Sequence, residues 1–177
     1  MAAKTEAKVA AANDASLIRL RVDLVRNGWQ DFREGEVSRT ILVRQKHTLD
    51  QLHQCIFKAF DRFDAHMYEF IVGEDPDGPE AEHFGVDNPF FAGMPDMGGP
   101  VTKSAAKTKI AWLRLKPGEV FFYDFDFGDN WEHQITVEAV DLPAEKGRRY
   151  PRVEKIVGKS PAQYPDEDEE DEDGEDE

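Results

Sequence analysis

Six side chains have the chemistry of a site: His53, His66, Glu69, Asp126, Asp129 and His133. Imidazoles beside carboxylates suit a zinc, manganese or iron centre, and suit metal-free acid–base work equally well. Their spacing matches no metal motif, since no two histidines stand four apart on a helix with an acid between them. There is no glycine-rich phosphate cradle and no Gly-x-Ser-x-Gly elbow. A second set, Asp124, Asp126 and Glu132, would offer a cation three carboxylates if the fold gathered them. Each candidate also has a plainer role. A histidine on an apolar face is more often a satisfied core residue than a ligand. For His53 that role is packing on a sheet with a hydrogen bond to backbone. Asp129 can cap its own turn, and Asp126 can bond a neighbouring backbone. These residues alone assign no catalytic group and no cofactor.

The elements that must position them centre on Phe121 to Val140. Phe121, Tyr123, Phe125 and Phe127 share one face of an extended chain, and Trp131, His133, Ile135 and Val137 do the same. Period-two alternation predicts two strands. Gly128, Asp129 and Asn130 form the turn between them. An even loop would put aromatics and acids on one face, so an odd loop is expected. A three-residue loop pairs Phe127 with Trp131 and Phe125 with His133, with Asn130 left-handed. Asp126 then lies opposite Glu132 on the far face. Like charges across a ladder are destabilising. Either that face is wet, or a cation or an arginine sits between the two.

Composition bounds the class. The chain has 177 residues, with 37 acids against 22 Lys plus Arg. Eleven of those acids lie between Asp166 and Glu177, and without them 26 stand against 22, a net of −4. The balance predicts a disordered leader over 1–15, one compact domain over 16–163, and a disordered acidic tail over 164–177. The single cysteine, Cys55, excludes an intramolecular disulfide. No run approaches a membrane span and no signal-peptide pattern opens the chain, so a cytoplasmic location is expected.

In chain order, Ile18, Leu20, Val22 and Leu24 alternate with charged residues and predict a half-buried strand. A second strand at about Val37 to Val43 pairs with it antiparallel across a short loop. Thr48 and Gln51 form a capping box. Leu49, Leu52, Ile56 and Phe60 make one helical stripe, with His53 inside it. His66 to Val72 is a third strand. Residues 73–100 hold six glycines and five prolines, and no regular element is expected there. Phe84, Phe90, Phe91, Met94 and Met97 suggest that this loop packs down as a lid. Ile110 to Leu115 could be a strand or a short helical turn. After Val140 the chain reads as irregular and basic, with Arg148, Arg149, Arg152, Lys155 and Lys159. That cluster could dock on an acidic partner or fold back on the chain's own acids.

Three stretches carry a family likeness. Thr48-Leu49-Asp50-Gln51-Leu52-His53 with Ile56 is similar to a "tLxxLHxxI" helix. His66-Met67-Tyr68-Glu69-Phe70 is similar to an "HLyeF" strand. Tyr123 through Phe127-Gly128-Asp129-Asn130-Trp131-Glu132-His133 is similar to a "YxYDFGDxWEH" signature. Together they resemble the plasmid pRiA4b ORF-3-like proteins, some of which are labelled transposon passenger proteins, over roughly residues 17 to 160. Two departures stand out. The second strand lacks the family's proline-tryptophan-arginine stretch, and Gly158-Lys159-Ser160-Pro161 lacks its cysteine. The resemblance implies an α+β fold: a mostly antiparallel or mixed sheet with one main helix packed on it. It carries no established activity, only a mobile-element setting.

Three functions follow as expectations. The first is a non-catalytic binding or adaptor domain with a protein partner, using the 73–100 loop and its neighbours as contact surface. The second is a hydrolase-like or metal-binding site built from the His, Asp and Glu set. Such a site would require His66 or Glu69 to meet Asp126 or His133 at a solvent-reachable cleft. The third is nucleic-acid association, which the acidic balance disfavours because a direct binder shows a basic footprint. Oligomeric state is not set by any of these residues.

Overall fold

A computed structural model describes residues 16–86 and 102–164. The leader, the acidic tail after Tyr164 and the aromatic and methionine residues Phe90, Phe91, Met94 and Met97 lie outside the described residues. The strands are β1 (Leu17–Asn27), β2 (Gln30–Asp31), β3 (Ser38–Arg44), β4 (Tyr68–Val72), β5 (Glu82–Gly85), β6 (Thr102–Ser104), β7 (Val120–Phe125), β8 (Trp131–Leu142) and β9 (Arg152–Val157). The helix α1 spans Leu49–Ala59. One sheet runs β6-β5-β4-β7-β8-β1-β3-β9, with β2 attached to β1. Only the β5–β6 pair is parallel among the described strands. This is the α+β architecture that the sequence implies.

Alternation decides the faces. Leu20, Val22 and Leu24 of β1 are fully buried, as are Ile41 and Val43 of β3. Tyr68, Phe70, Phe121, Tyr123 and Phe125 extend that surface through β4 and β7, and Trp131, Ile135 and Val137 through β8. The α1 stripe Leu49, Leu52, Ile56 and Phe60 covers it, each at most 1 % exposed. The capping box is formed as expected: Gln51 N–H donates to Thr48 Oγ1 at 3.2 Å, and Thr48 N–H to Gln51 Oε1 at 3.0 Å. No helix among the described residues is long and apolar enough to cross a membrane.

Two local expectations are corrected, and one left open is resolved. A strand, β5, does form between residues 73 and 100, and its Phe84 is buried. Glycine makes this possible, since a Cβ on Gly85 would meet the Tyr68 carbonyl oxygen at 2.8 Å. After Val140 the chain is not irregular: β8 continues to Leu142, and β9 pairs with β3. A register shift between Thr40 and Ile41 breaks the alternation of β9, which hides it in the sequence. Ile110–Leu113 is a short 3-10 turn, and its Trp112 faces solvent.

The far end of α1 is closed by residues from elsewhere. Arg39 is 2 % exposed, and its Nε donates to the Ala59 carbonyl at 2.6 Å. Its Nη1 serves the Ser38, Val157 and Gly158 carbonyls at 2.8, 2.9 and 3.2 Å. The Ser160 hydroxyl donates to the Phe60 carbonyl at 2.8 Å. Helix C-terminal carbonyls have no partner within the helix, so these donors replace water there. Gly158 begins this strap with φ of 68°, and any side chain there would collide with the Glu36 carbonyl.

Arg39→Met is expected to lower unfolding free energy by about 3 kcal/mol, because four carbonyls, one buried and three partly buried or at the surface, lose their donor at once. Thr48→Ala is expected to cost about 1 kcal/mol. Urea unfolding measures both, and an Arg39→Met value within about 0.5 kcal/mol of the parent would mean that the clamp carries no stability.

Candidate functional site

The β7–β8 connection places Asp126. The pairs are Phe125 with Trp131, Asp124 with Glu132, and Tyr123 with His133. The loop is therefore five residues, 126–130, and not three. Parity is kept, so the aromatics still face the core, but the register moves by two. Asp126 has φ of 57° and Asn130 of 49°. The Asp126 carboxylate oxygen Oδ1 accepts the N–H groups of Gly128 and Asp129 at 3.1 and 3.3 Å, and its own N–H donates to the Met67 carbonyl at 2.8 Å. A side chain that satisfies its own loop makes the longer turn affordable. Phe127 consequently leaves the core and is 50 % exposed.

His66 meets this loop. Its Nε2 lies 3.5 Å from Asp126 Oδ2, 3.5 Å from Asp64 Oδ2 and 3.0 Å from the Tyr164 oxygen. Tyr164 O–H donates to Asp64 Oδ2 at 2.7 Å, so its oxygen accepts from the His66 N–H. That bond holds the Asp64 carboxyl low and pushes the Tyr164 phenol up to about 12. Gln163, 1 % exposed, fastens the same strap: its Oε1 accepts from Phe63 and Asp64 N–H, and its Nε2 donates to the Asp64 carbonyl. Around this cluster stand exposed aromatics. Phe63 lies edge-on to Tyr164 at 5.8 Å, Phe127 follows Asp126, and Trp29 lies edge-on to Trp131 at 5.4 Å. Gly28 N–H donates to the Asp129 carbonyl at 2.6 Å, joining the Trp29 turn to the same loop.

The other two histidines are interior. His53 Nδ1 is 2.7 Å from the Tyr123 hydroxyl, and its ring stacks on Tyr68 at 3.6 Å. Its partner is thus a phenol and not the expected backbone. Burial lowers His53 to about 4, so the neutral ring accepts the Tyr123 proton. Tyr68 O–H in turn donates to Asp50 at 2.7 Å. His133 keeps Nδ1 against the Trp131 and Tyr123 carbonyls at 3.0 and 3.2 Å. Burial and the nearby Arg62 cation lower it to about 3. Arg62 is 6 % exposed, lies 3.5 Å over the Trp131 ring, and donates to the Pro161 carbonyl at 2.8 Å. Among the described residues, its Nε and Nη2, the Trp131 Nε1 and the His133 Nε2 are buried without a hydrogen-bond partner.

Glu69 lies on the open face, away from His66. The cross-strand pairs Glu69–Asp124 and Asp124–Glu132 set three carboxylates in one row. His83 bonds Glu69 at 3.0 Å at one end, and Arg26 reaches both Glu132 oxygens at 2.8 Å at the other. Arg26 thus pairs with Glu132 at the end of this row and does not sit between Asp126 and Glu132, because Asp126 lies off the ladder. Burial, then Glu132 and Glu69, push Asp124 up to about 7. The Asp124, Asp126 and Glu132 trio is not assembled, because the five-residue loop turns Asp126 toward His66. No group of three or more His, Cys, Asp or Glu among the described residues is arranged to hold a metal ion.

Of the six candidates, the fold joins His66 to Asp126, sets Asp129 in the same loop, and leaves Glu69, His53 and His133 apart. Asp64 and Tyr164 were missed, since their contact spans a hundred residues of chain. Tyr123 and Arg62 were missed as polar partners because both read as structural.

Comparisons with known proteins agree with the fold. The model of the family described as plasmid pRiA4b ORF-3-like protein matches residues 17–174, and the chain belongs to that family. An uncharacterised protein, y4hQ of Sinorhizobium fredii, is 32 % identical over 124 residues, which is 70 % of this chain and 54 % of the relative. The chain thus spans about half of that relative's length. A crystal structure of a protein of unknown function, MM3350 of Methanosarcina mazei Go1, is similar at a TM-score of 0.59 with 26 % identity, covering 80 % of this chain and 69 % of that one.

Stability is expected to fall with acid. His53 and His133 titrate lower in the fold than the ordinary histidine value of about 6.5. Their contribution is complete above that value and drains as pH falls toward 4, each by up to about 1.4 kcal/mol per pH unit. Asp124, raised in the fold, has the opposite sign and costs stability as pH rises through about 7. Asp124→Asn should therefore be more stable than the parent at alkaline pH, with the advantage shrinking in mild acid. Denaturant unfolding across pH measures this, and a constant difference would show that Asp124 titrates normally.

Proposed function

We propose, with that family membership as the premise, that this chain is a non-catalytic binding domain for a protein partner. Its contact surface is the loop end that gathers Trp29, Phe63, Phe127 and Tyr164, and its partner presents a basic segment. The observation that carries this is exposure: Phe63 is 72 %, Phe127 50 % and Trp29 46 % exposed, on loops that bond to one another. Large exposed aromatics gathered on touching loops are typical of interaction sites, and aromatic anchors dominate binding energy. Asp64, Asp126 and Asp129 stand among them, and Arg62 is buried against the Trp131 ring. Carboxylates interleaved with ring faces favour lysine and arginine side chains. The reading replaces the expected contact surface, the 73–100 loop, most of whose apolar residues are outside the described chain.

The His66–Asp126 contact supports a second reading, acid–base chemistry. Among the described residues, no serine, threonine or cysteine is hydrogen-bonded to either side chain, so that reading would act on water or on a bound cation.

Panning a displayed random-peptide library on the full chain separates these. The binding reading expects enriched peptides rich in Lys or Arg, with Phe63→Ser plus Phe127→Ser weakening them at least about tenfold, or 1.4 kcal/mol. Enrichment without basic residues, or equal binding by the double variant, would overturn it. Near-stoichiometric transition metal that is lost on His66→Ala and Asp126→Asn would bring the second reading forward.

A further inference from the structure

We infer that the groove between α1 and β9 is a docking site for the chain's own acidic segment, residues 166–177. The groove has a volume of about 610 Å³, and its walls carry Lys58 and Cys55 from α1, Arg152 and Ile156 from β9, and Lys159 from the strap. Elsewhere on the sheet, cations are spent on neighbours: Arg19 on Glu154, Arg21 on Asp23 and Glu34, Arg26 on Glu132, and Lys103 on Glu82. Lys58, Arg152 and Lys159 have no carboxylate within ion-pair distance among the described residues. Among the described residues, the only acid on the groove wall is Asp61.

The occupant is argued from sign and reach. Residues 166–177 hold eleven carboxylates. Ser160 is itself on the groove wall, and the described chain continues only to Tyr164. The thirteen residues after it span up to about 43 Å when extended. That length allows a return along the strap to the groove. β9 is also the last strand of the sheet, so its outer backbone groups are available to an extended segment lying beside it. Ile156, 65 % exposed, offers an apolar contact at the same edge. Lining a site with one sign of charge raises the local concentration of a tethered segment of the other sign, and the effect is screened by salt. This inference is independent of the loop-end surface, which lies among different residues.

Cys55 is the chain's single cysteine and sits on the groove wall, so it reports occupancy without any added label site. The experiment measures its reaction rate with a small methanethiosulfonate reagent at fixed pH. The full chain is compared with a full-length variant whose acids at 166–177 are replaced by Asn and Gln. The expected result is a rate at least about fivefold faster in the variant at low salt, with the two converging near 1 M salt. Arg152→Glu with Lys159→Glu, in the native-tail chain, should react as fast as the neutral-tail variant, Lys58 being kept because its charge favours the Cys55 thiolate. Equal rates in parent and neutral-tail chains would overturn the inference. So would protection that grows with protein concentration, which would assign the groove to a second copy's tail.

Discussion

Two carbonyl groups govern this fold. Ala59 and Phe60 end α1 against the sheet, Ala59 half-buried on the groove wall and Phe60 fully buried, and a buried acceptor without a donor costs about 1–3 kcal/mol. Arg39 answers the first and Ser160 the second. Everything near them follows. Arg39 must be buried on β3, and burial lowers its pKa, with desolvation as the chief cause. The chain beyond β9 must turn back through a left-handed Gly158 to present Ser160. That turn brings Pro161, Gln163 and Tyr164 along the α1–β4 connection, where they hold Arg62, Phe63 and Asp64. The aromatic loop end is thus ordered from the same strap that closes the helix.

The interior is polar in a restrained way. Neutral histidines serve as acceptors and donors of single hydrogen bonds, and the phenols of Tyr68 and Tyr123 link α1 to the sheet. Hydrogen bonds across packed layers fix the rotation of α1 about its axis more sharply than aliphatic contacts can. Apart from the buried Arg39 and Arg62, the ion pairs stand on the open face, where they bridge neighbouring strands and Asp124 is the carboxylate left between two others.

What could be read from the sequence was whatever repeats locally. The capping box, the α1 stripe and the strand faces are periodic, and all were legible. The aromatic signature was legible in parity but not in length. Alternation says only that the loop is odd, and three and five residues satisfy it equally. The choice was made by Asp126, whose carboxylate satisfies its own loop and whose backbone reaches Met67. β5 and β9 were hidden because short outer strands carry glycine, charge and a register shift in place of alternation. The site was half legible. His66 and Asp126 come within 3.5 Å of each other, while Asp64 and Tyr164 depend on a strap that returns from a hundred residues away. No periodicity encodes such a return.

That return has a consequence for how the molecule is made. Synthesis delivers β1 through α1 early, then β7 and β8, and the strap only near the end of the described chain. Until residues 158–164 have left the ribosome, the Phe60 carbonyl lacks its Ser160 donor and Arg62 lacks its Pro161 partner, although β1 to β9 have already emerged. Domains acquire structure from the amino end as they emerge. This one can condense its aromatic layer during translation but cannot seal it. The closing step is a late, long-range event, and a nascent chain that has emerged only as far as Gly158 would present the cell with a Phe60 carbonyl that has no donor and a loop end not yet strapped down.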